Sequence, residues 1–417
     1  MNHDDDVVVD IEAILEGTEQ NVTKECCIYK VPFHIRTLRE DAYTPKVVAI
    51  GPFNHNRHLH LQNMEKHKLM YCKAFFKRTK TSSDSWMRYI EGVEPKFRRC
   101  YSETLEFSKK ELVKIIFVDS GFILELFWRS CCEWSPDDTF LSTPWLSSNM
   151  VQDLMLLENQ LPFFVLEDLY NMSFTGSSSN IPPFATLTLH YFGYYNRSGL
   201  SFDNISINHF TDLIRTFNLQ LRGERRPPRT AELVKHLPSA AELLEAGVRL
   251  KVNTTSNCLL DLAFSGQDLE IPQFQVSDST ELMFRNMMAL ELCHYPYEAY
   301  ITDYVAVLDF LINTSKDVDI MVRKKVLVNW LGDTDSVANM FNGLLKNNIH
   351  SGFNTHYSEI CQDLNALCRN PWHNLKSTLR RDYCKTPWQT AATIAGIVLL
   401  ILSLVQTICS VLQVIQQ

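Results

Sequence analysis

Glycine is scarce in this chain, 14 residues in 417, and none of the glycine patterns that cradle phosphate is present. There is no P-loop, no GxGxxG and no GxSxG, so nucleotide binding of those types and the nucleophile elbow have no sequence basis. HExxH is missing too, and the twelve cysteines form no CxxC pair. A dense disulfide framework is therefore not expected, and reduced thiols are the default for such spacing. Basic excess is lacking: 40 Lys and Arg face 48 Asp and Glu, for a net charge of -8 and a pI near 5.9. That excludes a dedicated nucleic-acid binder, which carries a basic face. The opening "MNHDDDVVVDIE" is acidic where a secretory leader is basic and then apolar.

What is present is a folded-protein composition, 45% hydrophobic and 21% charged, ending in an uncharged run. From Thr390 to Gln417, "TAATIAGIVLLILSLVQTICSVLQVIQQ" has no ionisable acid or base apart from Cys409. A membrane-spanning helix needs ~20 apolar residues. Arg380, Arg381 and Lys385 precede the run and Trp388 stands at interface level, so residues 388–413 are expected to span a membrane as a tail anchor with the main domain in the cytosol. Which membrane is not encoded. Ala392, Gly396, Ser403, Gln406, Thr407 and Ser410 fall within roughly 100° on a helical wheel. Small and polar residues on one face are a means of lateral association, with a second copy or another membrane protein.

Residues 1–24 read as an acidic tail and 25–385 as one large globular domain, with loops near 79–86, 171–184 and 221–230. Proline-containing "IYKVPFHIR" and "YTPKVVAIGPFN" predict extended segments. From Leu61 to Lys80 the period is helical, with Leu61, Met64, Leu69, Cys72 and Phe76 as the apolar stripe. Lys66, Lys73, Lys77 and Lys80 share another face, either simply solvated or in contact with anionic lipid. Ser239 with Glu242 forms a capping box closed by Gly247. "VRLKV", "CLLDLAFS" and "LEIPQFQV" read as short strands, and helical patterns resume at Asp278 with Glu281. The fold class expected is mainly α-helical, α+β with a small β element, plus one C-terminal transmembrane helix.

The chemical candidates are few. His55, His58, His60 and His67 lie close in sequence but lack the companion ligands of a zinc site. No cofactor or metal is expected. Cys26-Cys27 and Cys131-Cys132 are adjacent pairs with no paired histidine. Six glycosylation sequons, at Asn21, Asn171, Asn196, Asn204, Asn253 and Asn313, would matter only on a lumenal domain. The pointed feature is Glu158, Asn159 and Gln160 within "DLMLLENQLPFFVLEDL". On a helix three successive residues fan over roughly 200°, so one at least turns inward. Pro162 ends the helix internally, with a break near Gln160 and a restart at Pro162. Such residues make either a polar knot at a helix junction or a ligand or catalytic site. In the second case Glu158 or Asp119, carboxylates in apolar surroundings, would carry it.

Several strings together resemble the plant "domain of unknown function 247" family: Val31-Pro32 with "YTPKVVAIGPF", "MEKHK", "FVDSGFILELF", "DLMLLENQLPFFVLEDL", "AAELLEAGVRLKV", "LEIPQFQV", "FRNMMALE" and the "PW" before the apolar run. The resemblance implies a plant membrane protein with a large helical domain and one C-terminal span, and it brings no established enzymatic activity. Some grass members of the family are implicated in pollen self-incompatibility, which suggests recognition. This chain departs from the family in having Gly121 where a Cys is common and Thr386 where Asn precedes Pro-Trp. A membrane-anchored, non-enzymatic interaction or recognition protein is the expectation. A hydrolase-like enzyme and an extracellular recognition domain are the alternatives.

Overall fold

A computed structural model describes residues 25–175, 181–201, 205–219, 226–347, 352–369 and 387–415. The acidic stretch 1–24, the basic flank at Arg380, Arg381 and Lys385, Thr386, and the sequons Asn21 and Asn204 lie outside them. So do parts of the loops expected near 171–184 and 221–230. Helix accounts for 59% of the structure, and the sheets are small. The chain is therefore mainly α-helical with a minor β component.

Among the described residues, the helices of eight or more residues are α1 (Gln62–Thr79), α2 (Ser83–Arg99), α3 (Lys109–Cys132), α4 (Pro144–Leu154), α5 (Phe163–Ser173), α6 (Phe184–Tyr191), α7 (Phe210–Asn218), α8 (Asp278–His294), α9 (Tyr300–Leu311), α10 (Ser315–Arg323), α11 (Thr334–Leu344), α12 (Thr355–Arg369) and α13 (Pro387–Ile415). The expected loop near 79–86 narrows to 80–82, because Ser82 caps α2 by accepting from the Asp84 amide. The Ser239–Glu242 capping box forms as expected, and Gly247 takes φ +95° behind it.

α3 is the spine of the N-terminal half. It opens on a capping box between Ser108 and Glu111, and from Leu112 to Phe127 nearly every residue is buried. A helix apolar on all sides belongs inside a protein. α1, α2, α5 and α6 pack around it. One contiguous core runs from Cys27 to Leu364, so the N- and C-terminal halves share an interior. Each fully buried Leu, Ile or Phe along α3 contributes about 1.5–3 kcal/mol.

The apolar stripe read for α1 needs correction. Met64, Cys72 and Phe75 face the core, but Leu69 is 51% exposed and Lys68 is buried in its place. Lys68 is held by Asp119 on α3, by Glu65 and by the Ala49 carbonyl. A charge can stand at a core position when every donor has an acceptor.

The β component is modest. Arg249–Asn253 pairs in parallel with Asp268–Pro272, which turns back at Gly266 on Ala263–Ser265. Phe274–Val276 pairs in parallel with Leu327–Asn329, whereas Arg229–Thr230 pairs antiparallel with Phe353–Asn354. Of "CLLDLAFS" only the last three residues are strand.

α13 contains a stretch, Ala391–Ser410, long and apolar enough to cross a membrane, and none of it is covered by the folded domain. Ala392, Gly396, Ser403, Gln406, Thr407 and Ser410 are exposed on it. Thr407 and Ser410 donate to the Ser403 and Gln406 carbonyls within the helix.

Where α1 crosses α3, Gly121 faces Cys72: a Cβ on Gly121 would stand 2.4 Å from the Cys72 Sγ and 3.0 Å from its Cβ. Contact with the Cys72 stem cannot be relieved by a rotamer change. Gly121→Ala is expected to destabilise the fold by about 1–3 kcal/mol. Combined with Cys72→Ala it should recover part of that loss, measured by denaturant unfolding; simple additivity of the two substitutions would contradict the contact.

Candidate functional site

Residues 155–162 connect α4 to α5, and here the expected geometry fails usefully. Helix α4 ends at Leu154 and not near Gln160, so Glu158, Asn159 and Gln160 are not helical. The cause is the polar side chains themselves. Asn159 Nδ2 donates to the Asp153 carbonyl (2.9 Å), and Gln160 Nε2 donates to the Leu154 and Leu156 carbonyls (2.7 Å each). They capture the carbonyls left free at a helix end and so compete with its continuation. The chain restarts at Phe163, with Pro162 as its N-cap residue.

The remaining valences of these side chains reach far along the sequence. Asn159 Oδ1 accepts from the Ile50 amide at 2.7 Å, and its Nδ2 also donates to the Val48 carbonyl at 3.0 Å. Asn54 Nδ2 donates to the Glu158 carbonyl and to Asn159 Oδ1. Gln160 Oε1 accepts from the Phe210 amide at the start of α7, while its carbonyl accepts from the Tyr101 hydroxyl. Glu158 accepts from the Val31 amide at 2.8 Å and pairs with Arg36, 2.8 Å away. All three residues are buried, at 2% exposure or less.

Asp153, at the last turn of α4, extends the pattern. Its carboxylate accepts from three successive amides, Lys46, Val47 and Val48, at 2.6–2.8 Å. Burial pushes its carboxyl up to about 6 against the pull of those amides. Asp119 accepts from the Gly51 amide at 2.8 Å and holds Lys68. Gly51 has φ +70°, and a Cβ there would stand 2.4 Å from the Gln160 carbonyl oxygen. Asn286 on α8 accepts from the Leu157 amide and donates to the Ala42 carbonyl. The extended segment 46–51 thus has side chains where a sheet would supply a neighbouring strand.

His209, the N-cap of α7, completes the ring. Its Nε2 lies 3.0 Å from the Cys27 carbonyl, and its Nδ1 accepts from the Asp212 amide. That pattern requires the neutral imidazole protonated on Nε2. Burial holds its pKa down, at about 4.

Glu158, Asn159, Gln160 and Pro162 are therefore brought together with Asp153, Asn54, Asn286 and His209, none of which stood out in sequence. A glycine in "IGPF" was the available signal for the close approach of Gly51. The two candidate carboxylates, Asp119 and Glu158, contact the same N-terminal region through different groups, Gly51 and Val31. Each oxygen of the pair is engaged by an amide or a cation. What the arrangement does is bind backbone. The histidines disperse: His55 rests on Phe107 and His67 on Phe140, while the His58 and His60 rings are 5.7 Å apart. A cleft of about 530 Å³ between α8 and α11, reached by Arg39, Glu281 and Lys346, contains neither Glu158 nor Asp119.

The sequence pattern of the DUF247 family, described as a plant protein of unknown function, matches residues 28–402, and the chain belongs to that family. It is similar to UPF0481 protein At3g47200 of Arabidopsis thaliana, 27% identical over 93% of this chain and 87% of the relative. It is also similar to the putative UPF0481 protein At3g02645 of the same plant, 23% identical over 90% of this chain and 88% of the relative. No solved structure matches it.

Two outcomes test the site. Asn159→Leu keeps the branched outline, adds some bulk, and strands the Ile50 amide and the Val48 and Asp153 carbonyls. It should cost about 3–5 kcal/mol in chemical denaturation, whereas a loss below about 1 kcal/mol would mean that water replaces the side chain. For His209, the unfolded imidazole binds a proton near 6.5 and the folded one only near 4. Between those values the unfolded state carries more protons, so stability falls as pH drops from 6.5 to 4, by on the order of 3 kcal/mol from this residue. Asp153 acts in the opposite sense between 3.8 and about 6. The comparison is therefore with His209→Gln, whose stability curve should lack that fall; parallel curves would contradict the assignment.

Proposed function

We propose that this protein is a membrane-tethered interaction protein without catalytic activity: a folded cytosolic domain held at a membrane by α13 and recognising a protein partner. The observation that carries this reading is the Ala391–Ser410 stretch, with a mean hydropathy of 2.3 and no part buried. An uncovered apolar helix of that length is covered in the cell by lipid or by other membrane helices. The side chains that could have marked an enzyme are spent on backbone amides, which supports a structural role for Glu158 and Asp119. Arg380, Arg381 and Lys385 on the N-terminal side of the span favour the cytosolic orientation.

Two further features agree with that orientation. The described cysteines are free thiols. The sequon residues Asn196 and Asn253 use their side chains internally, Asn196 with Leu200 and Asn253 with Asp261 and Thr255, so a glycan on either would disrupt local structure. Asn171 and Asn313 are exposed. The small and polar face of α13, from Ala392 and Gly396 to Ser410, offers a surface for pairing with a second copy or another span.

Expressed in plant cells, the full chain should pellet with microsomes and be released by detergent but not by salt. A chain ending before Pro387 should be soluble. An unchanged pellet after truncation contradicts the tether. Protease digestion of the domain in intact microsomes, with no endoglycosidase shift, is expected; protection with a shift would reverse the orientation.

A further inference from the structure

Helix α1 concentrates positive charge in an acidic protein. It holds five basic side chains against one acid, Glu65, in a chain of net charge -8. Lys68 turns inward and takes Glu65 with it, at 2.7 Å. Outward, Lys66, Leu69, Met70, Lys73 and Lys77 share an arc of roughly 100° at 100° per residue. The three lysines are exposed, and Leu69 and Met70 are 51% and 64% exposed between them. Leucine and methionine have no polar group to offer water here, and α1 already has a core face without them.

The surroundings strengthen the pattern. Glu133, next to α1, pairs with Arg78, and Asp138 accepts from Tyr71 and pairs with Arg129. These two carboxylates are thus already matched, and among the described residues Lys66, Lys73 and Lys77 form no ion pair. The Glu133–Arg78 pair sets Trp134 at the C-terminal turn of α1. Phe140, packed on His67 and Tyr71, leads into Pro144 and Trp145 at the start of α4. Trp134 and Trp145 are 62% and 64% exposed. Lysines that extend charged heads over apolar neighbours match the chemistry of a lipid headgroup layer.

Resting on the membrane-tethered reading above, we propose that the outer face of α1, carried by Lys66, Lys73 and Lys77 with Leu69 and Met70, docks on the anionic headgroups of the bilayer that holds α13. The tether keeps the domain at the surface, so lysine contacts too weak to recruit a soluble protein suffice to orient an anchored one. The docked α1 face fixes which surfaces of the domain point to partners.

The test uses the full-length chain in phosphatidylcholine nanodiscs with and without phosphatidylserine, with lysine acetylation followed by mass spectrometry. Lys66, Lys73 and Lys77 should react several-fold more slowly on the phosphatidylserine discs, and high salt should abolish the difference. Lys316, an exposed lysine on α10, serves as the reference and should not change. The exposed double variant Leu69→Ser with Met70→Ser should weaken the protection without lowering the melting temperature. Equal reactivity in both lipids overturns the proposal, as does protection by a co-purifying protein in lipid-free detergent. A chain that does not enter the discs at all contradicts the tether instead. Its lysine face is then read at low ionic strength with a saturating excess of phosphatidylserine vesicles, which replaces the local concentration a tether would supply; protection there keeps the docking surface and equal reactivity removes it.

Discussion

Every buried amide needs an acceptor, and this fold meets that demand in an unusual way for a helical protein. The segments 26–31 and 46–51 run extended through the interior with a single isolated bridge among the described residues, Ile28 to Tyr101, in place of a sheet. The Cys27 and Ile28 amides go to the Cys100 carbonyl, and others go to side chains: Val31 to Glu158, Lys46 to Val48 to Asp153, Ile50 to Asn159 and Gly51 to Asp119. The C-terminal half repeats the solution. Glu291 receives the Ile301 and Thr302 amides at the start of α9 and pairs with Arg215. Asp317 receives the Ala241 and Thr314 amides, and Asp303 receives Asn354 while paired with Arg229. Buried acids here are fasteners between segments distant in sequence. Removing one would strand between one and three amides, which by itself constrains these residues.

Much of this was legible in the sequence, for local reasons. Apolar periodicity identified α1, the Ser239–Glu242 pair identified a helix start, and the uncharged C-terminal run identified α13. Polar residues inside an apolar run were enough to flag Glu158, Asn159 and Gln160. Their conformation was not legible, because the local pattern there is compatible with a continued helix. Asn159 and Gln160 end α4 by taking the Asp153, Leu154 and Leu156 carbonyls, and the groups that fix those two side chains lie far off, at Val48, Ile50 and Phe210. The same limit hid Lys68. Periodicity favours Leu69 for the core, but Asp119 and the Ala49 carbonyl, supplied by other segments, make the neighbouring lysine the better buried residue. Gly121 read as a departure from a family pattern, and its physical meaning is the Cys72 side chain across the helix crossing.

Function follows from where polarity is spent and where apolarity is left over. Interior acids and amides are consumed by the fold, and the large uncovered apolar surface is α13. A second, smaller excess lies on α1, where Leu69 and Met70 sit among lysines. Both features point toward a lipid surface. The shared core from Cys27 to Leu364 would then present its remaining faces in a fixed orientation, as the proposed recognition role requires.

Native-state hydrogen exchange of the amides of Val31, Lys46, Val47, Val48, Ile50 and Gly51 tests most directly whether the side-chain fasteners hold the extended segments as firmly as the core itself. These amides are expected to exchange only through global unfolding, with the same opening free energy as the central turns of α3. Exchange through a separate local opening of several kcal/mol less would show that the segments are loosely laid on the core, and that the knot is free for another purpose.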